Sequence, residues 1–218
     1  MADRIVHLVD DDEAIRRSAG FLLKTSGFHV VTYASGDDFL KRARDVGVGC
    51  VLLDIRMPGL DGLDVQQAMN DRGVGLPVVM LTGHGDVGLA VRAMKAGAVD
   101  FLEKPFEKAA LLAAVEKAFE RLNAGDRLQL SAADAGVQLA ALTARERDVV
   151  AGLIKGHPNK TIAFDLGISP RTIEIHRANL MRKLGATSLS DVLQIAFAAT
   201  RGDGPKDGSS KSGMGDIT

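Results

Sequence analysis

Val51-Leu52-Leu53-Asp54-Ile55-Arg56-Met57-Pro58-Gly59 runs apolar residues straight into a single carboxylate and then a turn. The run reads as a buried strand. Burying an ionised group costs several kcal/mol unless the group is paired or binds a cation. An Asp at the end of such a strand therefore needs a chemical or structural reason, which the rest of the chain has to supply.

The same alternation recurs outward in both directions. Residues 5–9 are β-branched and apolar around His7, Asp10-Asp11-Asp12-Glu13 breaks the run, and Ile15, Ala19, Leu22 and Leu23 follow at helical spacing. Gly27 ends that helix, residues 28–33 read as a second strand, and Ser35 caps a helix to about residue 45 carrying Phe39 and Leu40. Strand 50–53 leads to a helix near 63–69, strand 78–81 to a helix near 87–95, and strand 98–102 to a helix over 106–122. Parallel strands need crossovers, and their apolar runs need cover on both faces. The pattern therefore predicts an α/β fold with a doubly wound, flavodoxin-like, five-stranded parallel sheet.

Ligands of such sheets bind outside the carboxyl ends of the strands. The residues that follow the strands are Asp10 and Asp11, then Asp54, Thr82, and Lys104 with Pro105. Singly each has an ordinary reading, since an Asp after a strand is a common helix cap and Lys-Pro a common turn. Together on one edge they form a set. Three converging carboxylates repel one another and call for a hard divalent cation, best fitted by Mg2+ on one or two carboxylates, a carbonyl and waters. Lys104 adds positive charge and Thr82 a hydroxyl donor, which together can hold phosphoryl oxygens. The inventory is that of phosphoryl transfer to a carboxylate nucleophile. No GxxxxGK loop supports a nucleotide-binding enzyme.

With 218 residues and a hydrophobic fraction of 46%, the chain can fill two modest cores. One Cys excludes an intramolecular disulfide and suits a reducing compartment, and Cys50 reads as core packing. With no signal-peptide pattern and no bilayer-length apolar run, a cytoplasmic protein is expected. Net charge is −1, but residues 1–122 hold 15 Lys and Arg against 18 Asp and Glu, whereas residues 137–200 hold 8 against 5. A basic second half hints at nucleic acid, though so small an excess decides nothing without motifs.

Four stretches carry a resemblance: Val9-Asp10-Asp11, the run from Leu53-Asp54-Ile55 through Leu60-Asp61-Gly62, Leu81-Thr82-Gly83-His84-Gly85-Asp86, and the run from Ala96-Gly97-Ala98 through Lys104-Pro105-Phe106. They resemble the receiver domain of two-component response regulators across the whole first half. The resemblance implies that Asp54 takes a phosphoryl group from a sensor histidine kinase. It places Asp11, Asp54 and the backbone carbonyl of Arg56 on Mg2+, with Asp10 acting on the metal through water. Asp12 makes a third consecutive Asp; the apolar Leu8-Val9 ahead of it favours Asp10 and Asp11 as the family pair, with Asp12 at the helix start. The family's switch aromatic falls on Phe101, so the hydroxyl contact of relatives with Tyr there is ruled out, while burial by rotation is not.

Residues 123–138 are Ala-, Asp- and Gly-rich and read as a linker, part of which can extend the fifth helix. Thr143 and Glu146 then have capping-box spacing, with Val149, Val150, Leu153 and Ile154 following at helical spacing to about Gly156. Asn159 is expected to cap a short helix with Ile162, Ala163 and Leu166, stopped by Gly167. Ser169-Pro170 starts a third helix. In it Ile173, His176, Leu180 and Leu184 share one side, and Arg171, Glu174, Ile175, Ala178 and Arg182 lie roughly opposite. His176 reads as a packed histidine rather than a ligand. A helix over about 188–199 with Val192, Leu193, Ile195, Ala196 and Phe197 exceeds what a three-helix core needs, and the surplus reads as core or dimer surface.

Short helix, Gly turn and longer basic helix make a helix-turn-helix, whose second helix can enter the major groove. The bland reading is a protein-interaction bundle with solvated polar faces. The wording of Leu142-Thr143 with Glu146, Asn159-Lys160, Ile168-Ser169, Arg171-Thr172-Ile173-Glu174 with His176-Arg177, and Lys183-Leu184-Gly185 resembles the LuxR-type DNA-binding domain. Joined to a receiver, the chain is similar to the FixJ/NarL family of transcription regulators over about residues 4–200. From helical position and chemistry, Arg171, Glu174 and Ile175 are expected near bases, and Lys160, Thr172, Arg177, Asn179 and Arg182 near phosphates or groove walls.

The expected layout is a receiver over 1–122, a linker over 123–138, a LuxR-type helix-turn-helix domain over 139–200 and a disordered tail over 201–218. The expected activity is that of a regulator rather than an enzyme. Phosphorylation of Asp54 by its kinase would turn Phe101 inward, alter the surface around Val91, Lys95 and Val99, and pair receivers that are otherwise monomeric. Two basic domains then reach double-stranded DNA. The alternatives are a phosphatase-like enzyme, which leaves the basic helices unused, and a phosphorylation-controlled protein-interaction module that does not bind DNA.

Overall fold

Every residue of the strand Gly49–Asp54 (β3) is buried, because it lies in the middle of a sheet covered on both faces. The computed structural model describes residues 4–83, 87–124 and 131–201. Its parallel sheet also contains β1 (Ile5–Val9), β2 (His29–Tyr33), β4 (Val78–Thr82) and β5 (Asp100–Glu103), in the order β2-β1-β3-β4-β5. Side chains alternate across a strand, so Val51 and Leu53 join Val9 and Met80 on one face. There they pack against α2 (Gly36–Arg42), α3 (Gly62–Asp71) and α4 (Val87–Lys95). Cys50 and Leu52 point the other way, into α1 (Glu13–Thr25) and α5 (Lys108–Ala124). Burial pushes the Cys50 thiol up to about 12, which leaves it packed and unreactive.

Register sets the edge where chemistry can occur. Val9 pairs with Leu53, Asp54 with Leu81, and Thr82 with Glu103, so Asp10, Asp54, Thr82 and Lys104 come to one end of neighbouring strands. Element limits differ from the sequence expectation at a few ends. α2 stops at Arg42 rather than near residue 45, and α5 starts at Lys108 because Pro105 and Phe106 belong to the preceding turn. β5 starts at Asp100 rather than 98, after a turn in which Gly97 takes a φ of 101°.

The stretch expected as a linker contains an additional helix, α6 (Ala132–Ala140), capped by Ser131. Its buried contact residue is Ala135, too small to register as an apolar signal, and α6 packs against α10 (Leu189–Arg201). Residues 125–130 and the expected tail beyond Arg201 lie outside the described residues, as do His84, Gly85 and Asp86.

The remaining helices are α7 (Ala144–Ile154), α8 (Asn159–Leu166) and α9 (Pro170–Leu184). Their core is built from Val149, Leu153, Ile162, Ile173, Leu180 and Val192 with their neighbours. Gly167 turns α8 into α9 with a φ of 66°, and Ser169 caps α9 with Pro170 in its first turn. Asn159 does not cap α8, a correction to the sequence reading. Pro158 occupies that position, and the Asn159 Oδ1 accepts a 2.8 Å hydrogen bond from Arg177 Nη1 instead.

The capping box of α7 reaches further than its own helix. Glu146 is buried, accepts from Thr143 N at 2.8 Å, and accepts from Lys183 Nζ in α9 at 2.7 Å. Lys183 and the Thr143 backbone hold its carboxyl at about 2, down from 4.5. A lowered carboxyl pKa stabilises the fold above the unfolded value, so this contribution is full above about 4.5 and fades as pH falls toward about 2. Urea midpoints through that window should fall steeply for the native chain and more gently for Glu146→Gln. Equal slopes would show that the Glu146 pair contributes nothing to acid sensitivity.

Candidate functional site

At the carboxyl edge of the sheet, Asp10 is fully buried and Asp54 nearly so, while Asp11 is exposed at the mouth. Lys104 bridges the two buried carboxylates, donating to Asp10 Oδ2 at 2.7 Å and lying 3.0 Å from Asp54 Oδ2. The other Asp10 oxygen accepts from Asp12 N at 2.9 Å, and Asp12 in turn caps α1 through a 2.8 Å bond from Ala14 N. This fits the expected division of labour in the triple Asp: Asp12 is spent on the helix, leaving Asp10 and Asp11 at the site. Burial raises the Asp54 pKa above the ordinary carboxylate value, opposed by Lys104 and by the backbone N–H of Arg56. Lys104 keeps its proton, because the two carboxylates outweigh its own desolvation and raise its pKa.

Asp10, Asp11 and Asp54 each offer an oxygen within 4.8 Å of the others. These are hard donors on one side of an opening, and the exposed Asp11 leaves room for retained waters, so the set fits a Mg2+ ion. Thr82 is buried, with its hydroxyl donating to Leu102 O at 3.4 Å, so it rests toward β5 rather than toward Asp54. Phe101 is half-buried against the α4 side of the sheet.

Two supporting residues escaped sequence reasoning. Arg16 Nη1 donates at 2.8 Å to the backbone carbonyls of both Asp10 and Asp11, which fixes the turn that presents them. Its spacing from the Asp pair is that of any helix residue, so nothing marks it before the chain folds. Gly62 lies against the strand end itself: a Cβ there would sit 2.3 Å from the Asp54 carbonyl oxygen. Gly62→Ala is therefore expected to cost about 1–3 kcal/mol, read as a lowered urea midpoint. A native-like midpoint would show that the loop yields freely.

The second constellation is the outer face of α9. Arg171, Glu174, Ile175 and Arg182 are exposed there, beside the half-buried Thr172, Arg177 and Asn179, and Lys160 is exposed in α8. Arg171 Nη1 and Glu174 Oε2 are 3.1 Å apart, so the carboxylate orients a neighbouring Arg. Arg182 donates to Asn179 Oδ1 at 3.1 Å. The guanidinium of Arg177 ties α9 to the start of α8, which leaves it less available to phosphates than the sequence reading supposed. His176 is half-buried rather than part of the fully buried row of Ile173, Leu180 and Leu184.

Comparison with known proteins bears on both constellations. Residues 6–116 match the response regulator receiver domain, and residues 140–196 match the bacterial regulatory proteins of the luxR family. The chain is 47% identical over 194 residues to the transcriptional regulatory protein FixJ of Azorhizobium caulinodans, covering 89% of this chain and 92% of that one. It is 45% identical to FixJ of Rhizobium meliloti, covering 94% of this chain and all of the relative. A crystal structure of full-length FixJ from B. japonicum is similar at a TM-score of 0.56 and 44% identity, covering 92% of this chain and 99% of that one.

Proposed function

The chain belongs to the FixJ-like response regulators, which join a receiver domain to a LuxR-type DNA-binding domain, and from that premise we propose that Asp54 is its phosphoacceptor and α9 its DNA-reading helix. The observation that carries the reading is the convergence of Asp10, Asp11, Asp54 and Lys104 on one sheet edge. A buried carboxylate oxygen of Asp54 attacks phosphorus, the bond to the kinase imidazole nitrogen breaks, and its electron pair leaves with the nitrogen. When bound on Asp11, Asp54 and the Arg56 carbonyl, with Asp10 behind them, Mg2+ supplies positive charge against the phosphoryl oxygens.

Lys104 is already beside the acceptor oxygen, 3.0 Å from Asp54 Oδ2, and transfers its contact to the new phosphoryl group. The Thr82 hydroxyl leaves Leu102 O to do the same, and Phe101 turns into the space it vacates. The α4–β5 face around Val91, Lys95 and Val99 then pairs two receivers, and two α9 helices reach two half-sites. Arg171, Glu174 and Ile175 face bases; Lys160, Thr172, Asn179 and Arg182 face the backbone, with Arg177 holding α8 in place. In this reading the receiver ends near Ala124, the effector domain starts at Ser131 with α6, and the chain works in the cytoplasm as a kinase substrate rather than as a turnover enzyme. Among the described residues no helix is long and apolar enough to cross a membrane.

The test is selection of bound duplexes from a random pool with and without acetyl phosphate. Enrichment of paired half-sites that strengthens with the phosphodonor is expected. No enrichment under either condition would favour the protein-interaction alternative.

A further inference from the structure

Ile175 is placed for something other than the packing of α9. The other large apolar side chains of that helix are covered, Ile173, Leu180 and Leu184 in the core and Met181 against it, whereas Ile175 stays 53% exposed. One turn away on the same side stand Arg171, Ala178 and Asn179, and Arg182 follows a turn beyond Ala178. Arg171, Ala178 and Arg182 are exposed as well. An aliphatic group thus stands in water between two cations, more than half of it uncovered by the described residues.

Arg171 and Glu174 are also exposed, and their ion pair of 3.1 Å spans less than one turn of α9. A pair so open to water adds little to stability. What it sets is direction. The Glu174 carboxylate takes one hydrogen bond from Arg171 Nη1 and leaves the remaining N–H donors of the planar fork to point elsewhere. Each group also offsets the charge of the other, so the carboxylate is not repelled as a lone one would be beside phosphates.

On the major-groove edges of the bases, the apolar group is the thymine C5 methyl, and guanine O6 and N7 form the acceptor pair that a guanidinium fork fits. Arg171 and Ile175 are four residues apart, about 6 Å along the helix axis, whereas successive base pairs lie about 3.4 Å apart. The two side chains therefore address bases one or two pairs apart. We infer that each half-site of this chain carries a guanine read by Arg171, with Glu174 as its positioning residue, and one or two base pairs away a thymine whose C5 methyl packs on Ile175. The inference rests on the proposed DNA-reading role of α9 and specifies what that helix reads.

The probe is a duplex recovered by the random-pool selection and bound by the full chain in acetyl phosphate. Each thymine of one half-site is replaced in turn by deoxyuridine, which deletes only the methyl, and each guanine by 7-deazaguanine, which deletes only N7. Ile175→Ala and Glu174→Ala are measured beside the native chain, and urea midpoints establish that each is folded. At one thymine, loss of the methyl is expected to weaken native binding about fivefold and Ile175→Ala by less than about twofold. At a guanine one or two pairs away, loss of N7 is expected to weaken native binding about tenfold and Glu174→Ala only about threefold. Glu174→Ala should at the same time bind an arbitrary duplex more tightly, because a negative charge has gone. Native binding indifferent to every methyl would overturn the thymine contact while leaving DNA reading intact. A methyl penalty undiminished in Ile175→Ala would overturn its assignment to Ile175, and an N7 penalty undiminished in Glu174→Ala would overturn the positioning role. A pool that yields no duplex would overturn the reading role of α9 itself, which keeps the two failures apart.

Discussion

Phosphate incorporation from acetyl phosphate is expected to fall about a hundredfold or more in Asp54→Asn, with no loss of thermal stability. The first part follows from chemistry, since an amide oxygen is a poor nucleophile and the neighbouring carboxylates are held elsewhere: Asp10 by Lys104 and Asp12 N, Asp11 out at the mouth. The second follows from burial. Burial raises the Asp54 pKa against the pull of Lys104, so keeping its charge at neutral pH carries a cost to the fold. An acid with a raised folded pKa stabilises fully only below its unfolded value and loses that contribution as pH rises through the folded value. The amide removes the penalty while Lys104 keeps Asp10. The Asn variant should therefore unfold at an equal or higher temperature at neutral pH, and the gap should close in acid. Undiminished phosphorylation of Asp54→Asn would refute the assignment of the acceptor.

Lys104→Met is expected to do the reverse to stability, lowering it by about 3–5 kcal/mol at neutral pH, because two buried carboxylates lose their shared cation. Three results should accompany the loss. Acidification should restore part of the stability as Asp54 protonates, and Mg2+ should restore part of it at neutral pH by replacing the missing charge. Adding Asp54→Asn to Lys104→Met should recover much of the deficit, since one uncompensated carboxylate is easier to keep than two. Urea denaturation of the two single variants and the double variant measures this coupling. Additive effects would mean that Lys104 and Asp54 act independently despite their 3.0 Å separation.

The chain announced its receiver half unusually well. Strands buried on both faces are apolar along nearly their whole length, so β3 and β4 stand out up to the polar residues that end them, and the helices between the strands are long enough for their period to show. The residues of the candidate edge site were legible because each ends or closely follows a strand, and parallel topology sends all those positions to one edge. Arg16 and Gly62 were not, since their roles depend on which carbonyls lie beside them after folding. α6 was missed because Ala against a helix packs by closeness rather than by bulk. Arg177 sat at the right helical angle for DNA but proved to be tied to Asn159, a residue 18 positions away.

By itself the sequence determined the sheet, the residues that meet at its carboxyl edge and the exposed face of α9, because all three follow from continuous apolar runs, from the helical period of 3.6 residues and from what ends each element. It also revealed that α10 is too apolar for a three-helix core. Only the tertiary structure decided what the surplus is for. Leu189, Leu193 and Phe197 rest on α4 and β5, with Lys117 shared between Asp100 and Asp191. A period shows that a stripe is buried, but what buries it is set by residues about a hundred positions upstream. Those pairings leave no trace in either local pattern, because the energy of a contact depends on distance in space and not on separation along the chain.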